Sequence, residues 1–522
     1  MSFSQPSVLL PRTVIILSMM TALCVVPSSS PGQDIDPVAA AITIESAFVK
    51  VIADSEASVV AIARYKAKPA EPAGGRFEFR LNDPNRDDQN PASPDFVPND
   101  FGAGVLFAPS WNARERFVLT NYHVVRGGPV VGATGEKNDD FKLYVRYANR
   151  RGHEARIVAA DPRSDLAVLQ VDAAAMNIDK SELRPIVLSQ QPEIRKGQFA
   201  LALGNPYAIA RDGSPSASWG MIANVTRRPA PLGNAPEEES RQTIHHFGTL
   251  LQVDNRLSIG SSGGAVLNLK GELIGLATSL AAIDGYERSV GYAIPIDAGM
   301  RRIIDDLAHG YEVEYGFLGV QLKDFDGEDV RRQFPELRSP VATVALGVLA
   351  DSPAALGGMQ PRDVILSVNG IPVQNRSDLM RVVGMLGPEV TANVRVYRER
   401  SSRPQREHQL SIRLGKWPVV DESGIISTAS RREKWRGISI DYSTGRQRHM
   451  VWGQSRYYRA VVVTKVESSE VGAKAELAPG DLIARVNGAP VTTPNEFDKV
   501  VRGMEGDVQL ELTDGRKIVV RK

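Results

Sequence analysis

The sequence lacks the features that would support a disulfide framework or a nucleic-acid partner. It has a single cysteine, Cys24, in an apolar run near the N-terminus, so we expect a mature chain without disulfides or cysteine-ligated metals. Its 62 Lys and Arg residues balance 61 Asp and Glu residues, for a formal net charge of +1. Because nucleic-acid binding requires an excess of positive charge that neutralises phosphates, no such partner is expected.

A hydrophobic run long enough to span a membrane comfortably is lacking too. The N-terminal apolar run, Thr13 to Val26, follows Arg12 and is shorter than the roughly 20 residues of a transmembrane helix. The small residues of "PSSSPG" come next, as in a secretory signal with its cleavage site. We therefore predict a signal peptide over residues 1–32 and export to the periplasm or cell envelope. An uncleaved N-terminal membrane anchor is the alternative.

What the sequence does contain is a series of short, strand-like apolar runs. Examples are "GAGVLFA", "RFVLTNYHVV" and "DLAVLQVD", without amphipathic helices between them. Such spacing favours antiparallel sandwiches or barrels. Residues from about 66 to 100 are crowded with Pro, Gly, Asn and Asp, which predicts a mobile insertion. The helical spacing of "AGMRRIIDDLAHG" and its final glycine predict a domain boundary near Gly310.

The last third of the chain contains an internal repeat. The matching positions are Asp363, Asn369, Gly370 and Pro372 in the first copy and Asp481, Asn487, Gly488 and Pro490 in the second. Two copies of one small module, over residues 314–415 and 433–522, explain this match. Each copy is predicted to have a strand, an Asn-Gly turn and a helix capped by Ser377 or Thr493. The polar stretch 416–432 between them is interpreted as a linker.

The stretch "GSSGGAV" raises the possibility of a serine nucleophile, and a serine needs a nearby base. His123 ends the strand-like run "RFVLTNYHVV", where a rigid element would deliver an imidazole, although a buried core histidine is the alternative. The adjacent pair His245 and His246 are the second candidates. Histidines in polar or turn-like contexts are predicted to be solvated: His153, His309, His408 and His449.

A base also needs an acid that orients it. Asp165 begins the apolar run "DLAVLQVD", and a carboxylate buried there requires a hydrogen-bond donor such as an imidazole. The alternative for Asp165 is a turn or capping role, which Asp161 fits better. A plain glycine-rich turn is likewise the alternative for "GSSGGAV". Histidine, aspartate and serine nevertheless follow the chain order of the chymotrypsin arrangement, within one region of short strands.

Several motifs together resemble the HtrA/Deg family of envelope serine proteases. They include "VLTNYHVV", "DPRSDLAVLQVD", "GSSGGAVLNLKGELIGLAT", "VGYAIPID" and "YGFLGVQL". The resemblance implies a mainly β fold, with a chymotrypsin-like double β-barrel protease domain over residues 33–310. It also implies that the two repeats are PDZ domains, which are small α+β, partly open barrels.

The resemblance assigns roles to individual residues. It implies that His123 is the general base, Asp165 the acid that orients it, and Ser262 the nucleophile. Backbone N–H groups of Gly260 and Ser262 would form the oxyanion hole. The strand that receives an extended substrate would lie around Ala277, Thr278 and Ser279. Neither a metal nor an organic cofactor is implied.

Arg256 departs from the family pattern, which has a small residue there, close to the primary specificity pocket. A buried guanidinium would shorten that pocket, favour an acidic substrate side chain, or fold away against Asp254. We therefore include Arg256 among the substrate-binding residues. Residues 227–246 form a second departure, either a regulatory loop or a surface insertion.

In the first repeat, the PDZ pattern implies that backbone N–H groups of Gly316, Phe317, Leu318 and Gly319 hold a peptide C-terminus. The corresponding loop of the second repeat is "WRGI", residues 435–438. The sequence thus favours an exported, ATP-independent serine endopeptidase acting on unfolded or misfolded proteins. The family resemblance suggests a homo-oligomer built from trimers. The alternative function is a catalytically silent peptide-binding protein or holding chaperone.

Overall fold

The computed structural model describes the chain from residue 36 onward, with gaps. The described residues are 36–66, 90–93, 96, 98, 100–126, 141–190, 193–205, 213–228, 243–278, 291–399, 406–422, 424–446, 457–468, 472 and 475–522. The predicted signal peptide, most of the predicted insertion at 66–100, His449 and Ser279 lie outside these residues, as does most of 227–246.

The N-terminal helix and seven antiparallel strands open the described chain. The elements are α1 (Pro37–Ser55), β1 (Val59–Lys66), β2 (Asp100–Phe107), β3 (Phe117–Asn121), α2 (Tyr122–Val125), β4 (Phe141–Arg146), β5 (Gly152–Ala155), β6 (Ile157–Asp161) and β7 (Leu166–Gln170). Strands β6, β7, β3, β2, β1, β4 and β5 are neighbours in that order. Apolar side chains between them, such as Ile62, Leu106 and Leu169, form one core. We call this unit the first barrel.

A second set of strands closes on itself. The elements are β8 (Val187–Leu188), β9 (Phe199–Gly204), β10 (Ser216–Arg227), β11 (Leu250–Val253), β12 (Ala265–Leu267), β13 (Glu272–Thr278), β14 (Gly291–Pro295) and α3 (Ala298–Ala308). The order β12-β9-β10-β11-β14-β13 returns to β12 through the β12–β13 pairing. We call this unit the second barrel. Helix α3 buries Ile303, Ile304 and Leu307 in the core that the two barrels share.

The first repeat forms a six-stranded sheet with three helices. The elements are β15 (Gly316–Phe317), β16 (Val320–Asp326), α4 (Gly327–Gln333), β17 (Val341–Val348), α5 (Pro353–Leu356), β18 (Val364–Val368), β19 (Ile371–Pro372), α6 (Arg376–Leu386), β20 (Thr391–Tyr397), β21 (Glu407–Arg413) and β22 (Gly415–Lys416). The order is β16-β17-β18-β20-β21, with β19 on β18, while β15 pairs with β22. Asn375, rather than the predicted Ser377, caps α6 by accepting the N–H of Asp378 at 3.0 Å.

The second repeat has the same sheet order. Its elements are β24 (Ile438–Tyr442), β25 (Val461–Val466), β26 (Leu482–Val486), β27 (Ala489–Pro490), α7 (Pro494–Val501), β28 (Val508–Leu512) and β29 (Lys517–Val520). The order is β24-β25-β26-β28-β29, with β27 on β26. Thr493 caps α7, as predicted, by accepting the N–H of Glu496 at 3.3 Å.

The stretch 416–432, interpreted as a polar linker, is partly structural. Lys416 belongs to β22 and is 1% exposed. Strand β23 (Ile426–Ser427) pairs with β6 and so extends the sheet of the first barrel. Polar composition alone did not predict this, because the Lys416 charge is compensated by the carboxylates of Glu312, Glu314 and Asp441, which lie elsewhere in the chain.

Candidate active site

His123 and Asp165 are brought together by the pairing of β3 with β7. The register places Asn121 opposite Leu166, so that the residues just beyond β3 and just before β7 share one end of the sheet. His123 lies in the short helix α2 at this end. The backbone N–H of Tyr122 donates to the Asp165 carbonyl oxygen at 2.9 Å, which fixes the two segments against each other.

The Asp165 carboxylate is buried and holds the imidazole of His123. Nδ1 of His123 lies 2.9 Å from Oδ2 of Asp165, and the His123 backbone N–H donates to Oδ1 at 3.1 Å. Asp165 is 2% exposed and has a positive φ of 51°. Because a carboxylate only accepts hydrogen bonds, Nδ1 carries a proton, and in the neutral ring Nε2 is then the nitrogen with the lone pair. This is the tautomer that a general base requires.

Ser262 lies in the loop between β11 and β12, directly after a tight turn. The N–H of Ser261 donates to the Ser258 carbonyl at 2.9 Å, and Gly260 has a φ of +92°. These are features of a type II β-turn, whose third residue needs a positive φ. A Cβ at Gly260 would lie 2.3 Å from the carbonyl oxygen of Asn205, so only glycine fits.

The turn leaves two backbone donors available. Within the described part of the chain, the N–H groups of Gly260 and Ser262 have no hydrogen-bond acceptor, whereas that of Ser261 is used inside the turn. Two uncompensated N–H groups beside a serine hydroxyl can stabilise an oxyanion. Gly260 and Ser262 therefore stay the predicted oxyanion-hole donors.

The serine loop is fastened to the first barrel. The carbonyl oxygen of Ser262 accepts the N–H of Ala103 in β2 at 2.8 Å. Gly263 has a φ of +82°, and a Cβ there would lie 2.0 Å from the Ala103 carbonyl oxygen. Because glycine permits this close approach, the loop sits against the strand that neighbours β3, which leads to His123.

Two residues predicted to line the substrate strand have other contacts. Ala277 donates its N–H to Gly264 and accepts from Gly263, both at 2.8 Å, so it lies inside the sheet and the edge prediction is wrong for it. Thr278 donates its hydroxyl to Oδ2 of Asp165 at 3.2 Å. No sequence pattern indicates this second hydrogen bond to Asp165, because the two residues lie far apart along the chain.

Arg256 is exposed, so the buried guanidinium considered from the sequence is not found. In the described part of the chain its guanidinium has no ion-pair partner, and Asp254 instead accepts the N–H of Met221 at 2.5 Å. The neighbouring Asn255 is the buried residue, at 1% exposed. Its amide donates to the carbonyls of Ala200 and Ser218 at 3.1 and 3.2 Å.

The other candidate histidines are structural or lie away from the serine. His245 is fully buried, and its Nε2 lies 2.8 Å from the carbonyl oxygen of Ser164, so Nε2 carries the proton. Burial lowers the pKa of His245 and favours this neutral ring. His153, predicted to be solvated, is buried and contacts the hydroxyl of Tyr147 at 3.1 Å; burial also lowers its pKa.

The turn before Asp165 is supported from the first repeat. Asp161 accepts the backbone N–H of Ser164 at 3.1 Å, the turn role expected for it. It also accepts the hydroxyl of Tyr315, which directly precedes β15. Burial, followed by the nearby Asp161 charge, raises the pKa of Tyr315 well above its usual value, so the phenol stays protonated and keeps donating.

The loop predicted to hold a peptide C-terminus begins in β15. Phe317 pairs with Gly415 of β22, and Gly319 has a positive φ of 80°. The carbonyl groups of Leu318 and Gly319 accept the N–H groups of Ala354 and Leu349, each at 2.9 Å. In the described residues the N–H groups of Leu318 and Gly319 have no backbone acceptor, so they can donate to a carboxylate.

Comparison with protein families gives two matches. Residues 102–276 match the trypsin-like peptidase domain, and residues 344–394 match the PDZ domain. The first match contains His123, Asp165 and Ser262, and the second lies in the first repeat. The predicted mainly β fold with a chymotrypsin-like protease domain is confirmed, whereas only one PDZ domain is identified in this way.

Related proteins carry protease names. A "Probable periplasmic serine endoprotease DegP-like" of Pseudomonas fulva is 28% identical over 407 residues, covering 77% of this chain and 74% of the relative. A protein of the same name from Chlamydia trachomatis is 25% identical over 425 residues, covering 81% and 73%. The solved structure "HtrA-type protease AlgW with tripeptide" is 24% identical with a TM-score of 0.48, covering 72% of this chain and 99% of its own.

Among the described residues, no group of three or more His, Cys, Asp or Glu side chains could hold a metal ion. No helix in the described ranges is long and apolar enough to cross a membrane.

Proposed function

We propose that this serine endopeptidase, which carries a trypsin-like peptidase domain and a PDZ domain, is an HtrA-type protease that degrades unfolded or misfolded envelope proteins. The observation that carries the proposal is the hydrogen-bonded pair of His123 and Asp165 in the same domain as the Gly260 turn that precedes Ser262. The names of the relatives support the class of enzyme and its periplasmic location.

In the proposed mechanism Ser262 attacks the scissile carbonyl carbon while Nε2 of His123 takes the hydroxyl proton. Asp165 holds the imidazolium that forms, through Nδ1. His123 then protonates the leaving amine, and the acyl group remains on Ser262. A water molecule, deprotonated by His123, attacks this ester and releases the second product, which regenerates the free hydroxyl.

The N–H groups of Gly260 and Ser262 would stabilise the negative charge on the substrate oxygen in both steps. Loss of one such donor typically costs about 2.7–4 kcal/mol of transition-state stabilisation. The positive φ of Gly260 sets the orientation of this peptide group. Catalysis in this scheme uses neither a metal nor an organic cofactor.

The first repeat would bind the C-terminal ends of substrate chains and bring them to the peptidase domain. A peptide C-terminus would bind the N–H groups of the loop Gly316, Phe317, Leu318 and Gly319, and the peptide would extend a sheet edge. Arg256, being exposed, is proposed to act on substrate residues near the entrance of the specificity pocket. Thr278 and Ser279 are proposed to flank the bound substrate, and the assembly is proposed to be a trimer or a multiple of trimers.

The proposal is tested by hydrolysis of an unfolded protein such as reduced casein. The mature chain and its Ser262→Ala variant are compared, with mass-spectrometric mapping of the products. Cleavage that the variant loses supports the proposal, and the residues before the cut sites report the influence of Arg256. Cleavage that persists in the variant would show that Ser262 is not the nucleophile.

The silent peptide-binding protein remains a distinct outcome of the same experiment. It would show no cleavage by either form, with or without C-terminal activating peptides. It would still bind such peptides, which fluorescence anisotropy detects.

A further inference from the structure

Residues 424–429, called here the linker strand segment, lie against the first barrel next to the catalytic pair. Their strand β23 pairs with β6, with Ile426 opposite Ala160 and Ser427 opposite Ala159. On its other side β6 pairs with β7, which begins directly after Asp165. The segment between the two repeats is thus the outermost strand of the sheet that carries the proposed base and acid.

A close contact joins this segment to the neighbour of His123. A Cβ at Gly424 would lie 2.7 Å from Oη of Tyr122 and 3.3 Å from Cγ of Pro162. The backbone N–H of Tyr122 donates to the Asp165 carbonyl at 2.9 Å. Tyr122 therefore packs under Gly424 through its side chain and holds Asp165 through its backbone. A displacement of its ring would therefore also shift the backbone hydrogen bond to Asp165 and the position of the adjacent His123.

The other end of the segment is anchored by directional bonds. The Thr428 hydroxyl donates to the Val158 carbonyl oxygen at 2.7 Å, and the N–H groups of Thr428 and Ala429 donate to the carbonyl of Gly310, each at 3.0 Å. Three residues further on, the guanidinium of Arg432 forms two bonds to the buried carboxylate of Glu314, at 2.9 and 3.1 Å. The segment is therefore held at a fixed register on the barrel.

We propose that the linker strand segment is a positioning element for His123 and Asp165. It acts through Tyr122, whose hydroxyl group a Cβ at Gly424 would displace. The inference rests on the proposed function, because it assigns a role to residues outside the peptidase domain in the reaction at Ser262. It also connects the second repeat to the peptidase domain, since the segment leads directly into that repeat.

The consequence is a defect in the chemical step rather than in substrate binding. Misplacing a catalytic pair by a fraction of an ångström lowers kcat, while the contacts that bind the substrate remain. We expect Gly424→Ala to lower kcat about tenfold and to leave KM within about twofold. The rate at which a fluorophosphonate labels Ser262 should fall in parallel, because that reaction uses the same base.

Matched variants distinguish a positioning effect on the catalytic pair from a general destabilisation of the fold. In the Gly424→Ala background, Tyr122→Phe removes the oxygen that the new Cβ would meet, so kcat should return to the value of Tyr122→Phe alone. Thr428→Val removes the hydrogen bond to Val158 and should lower kcat. Thr428→Ser keeps a hydroxyl group and should have the kcat of the parent enzyme. Ser427→Ala, at the exposed neighbouring position, is the control and should match the parent enzyme.

A second readout does not depend on activity. Hydrogen exchange at the Tyr122 amide should be faster in Gly424→Ala and Thr428→Val than in Ser427→Ala, because the acceptor on Asp165 is less well held. An inactive parent enzyme would contradict the proposed function alone, and exchange would then decide the inference. Unchanged kcat in an active enzyme, or unchanged exchange at Tyr122 in all variants, would overturn the inference.

Discussion

The two repeats have the same sheet order but different contacts at the loop that precedes their first long strand. In the first repeat, Phe317 pairs with Gly415 of β22 and not across its own loop. In the second, Trp435 and Ile438 exchange two backbone hydrogen bonds at 3.1 and 2.9 Å, which closes the corresponding loop on itself. One fold therefore presents two different loops.

Arg436 strengthens this difference. Because β16 begins at Val320 and β24 at Ile438, Arg436 occupies the place of Leu318, one residue away from the correspondence expected from the sequence. Arg436 has a positive φ of 51°, and its guanidinium donates to the carbonyl groups of Met504, Gly506, Val520 and Arg521. The loop of the second repeat is thus tied to its own last strand. The comparison indicates that a shared topology does not imply a shared binding function.

The second repeat instead makes contacts with the rest of the molecule. The Tyr457 ring stacks on Phe317 with centroids 6.4 Å apart, and the Tyr457 N–H donates to the Ala350 carbonyl at 2.9 Å. Asp441 of β24 binds Lys416 at 2.9 Å. Under the proposed function the first repeat binds peptides, whereas these contacts make the second repeat a docking module that also holds the linker strand segment.

The largest effect is expected at Lys416, which joins the two repeats. Its ammonium lies 2.9 to 3.3 Å from the carboxylates of Asp441, Glu312 and Glu314. Lys416→Met would leave these buried carboxylates undercompensated, at a cost of about 3–5 kcal/mol in the free energy of unfolding. Denaturant unfolding of the parent chain and of Lys416→Met measures this loss of stability. The control is Lys465→Met, at an exposed lysine, which should change stability by less than about 0.5 kcal/mol. Equal effects would contradict the docking role.

A smaller effect is expected at an ion pair that each repeat forms within itself at the equivalent position. Asp363 is fully buried and binds Arg398, whose side chain is 18% exposed, whereas the equivalent Asp481 binds Arg516, which is 49% exposed. Arg398→Met should therefore cost about 3 kcal/mol in unfolding free energy, and Arg516→Met should cost clearly less, because water screens the exposed guanidinium. Thermal unfolding of both variants tests this, and the reverse order would show that burial does not set the strength of these pairs.

The binding contrast is tested by two glycines with the same backbone conformation. Gly319 and Gly437 have φ of +80° and +79°. Alanine is strained there, and at Gly319 its Cβ would also lie 2.4 Å from the Ser352 side chain. Gly319→Ala should weaken the binding of a C-terminal peptide about tenfold. Gly437→Ala should leave it unchanged. Calorimetric titration with both variants would refute the division of roles if Gly437→Ala alone abolished binding.

The smallest effects should be equal in the two repeats. Asn375 and Thr493 cap α6 and α7 by accepting a backbone N–H three residues on. Asn375→Ala and Thr493→Ala should each cost about 1 kcal/mol of unfolding free energy. Chemical unfolding measures both. A difference of several kcal/mol would indicate that one helix is held by capping and the other by packing alone.

The sequence was sufficient for features that depend on local pattern. The strand runs, the internal repeat and the cap at Thr493 all follow from periodicity and turn chemistry. The register of β3 and β7, which places His123 beside Asp165, also agrees with the site expected from residue order and family resemblance.

Features that depend on distant partners were not predicted. The polarity of residues 416–432 suggested a solvated linker, because the three carboxylates that compensate Lys416 come from two distant segments of the chain. Ala277 was placed at an edge because a single sequence does not encode which strand pairs on its far side. The hydroxyl of Thr278 on Asp165 likewise depends on the packing of the two barrels.

The central claim is that Ser262 is a nucleophile activated by His123. It is tested most directly by treating the folded chain with a fluorophosphonate and locating the adduct by peptide mass spectrometry. We predict a single adduct on Ser262 that is lost in His123→Ala, with His245→Gln labelled like the parent chain. An adduct that is absent from Ser262, or that persists on Ser262 in His123→Ala at the parent rate, would contradict the account.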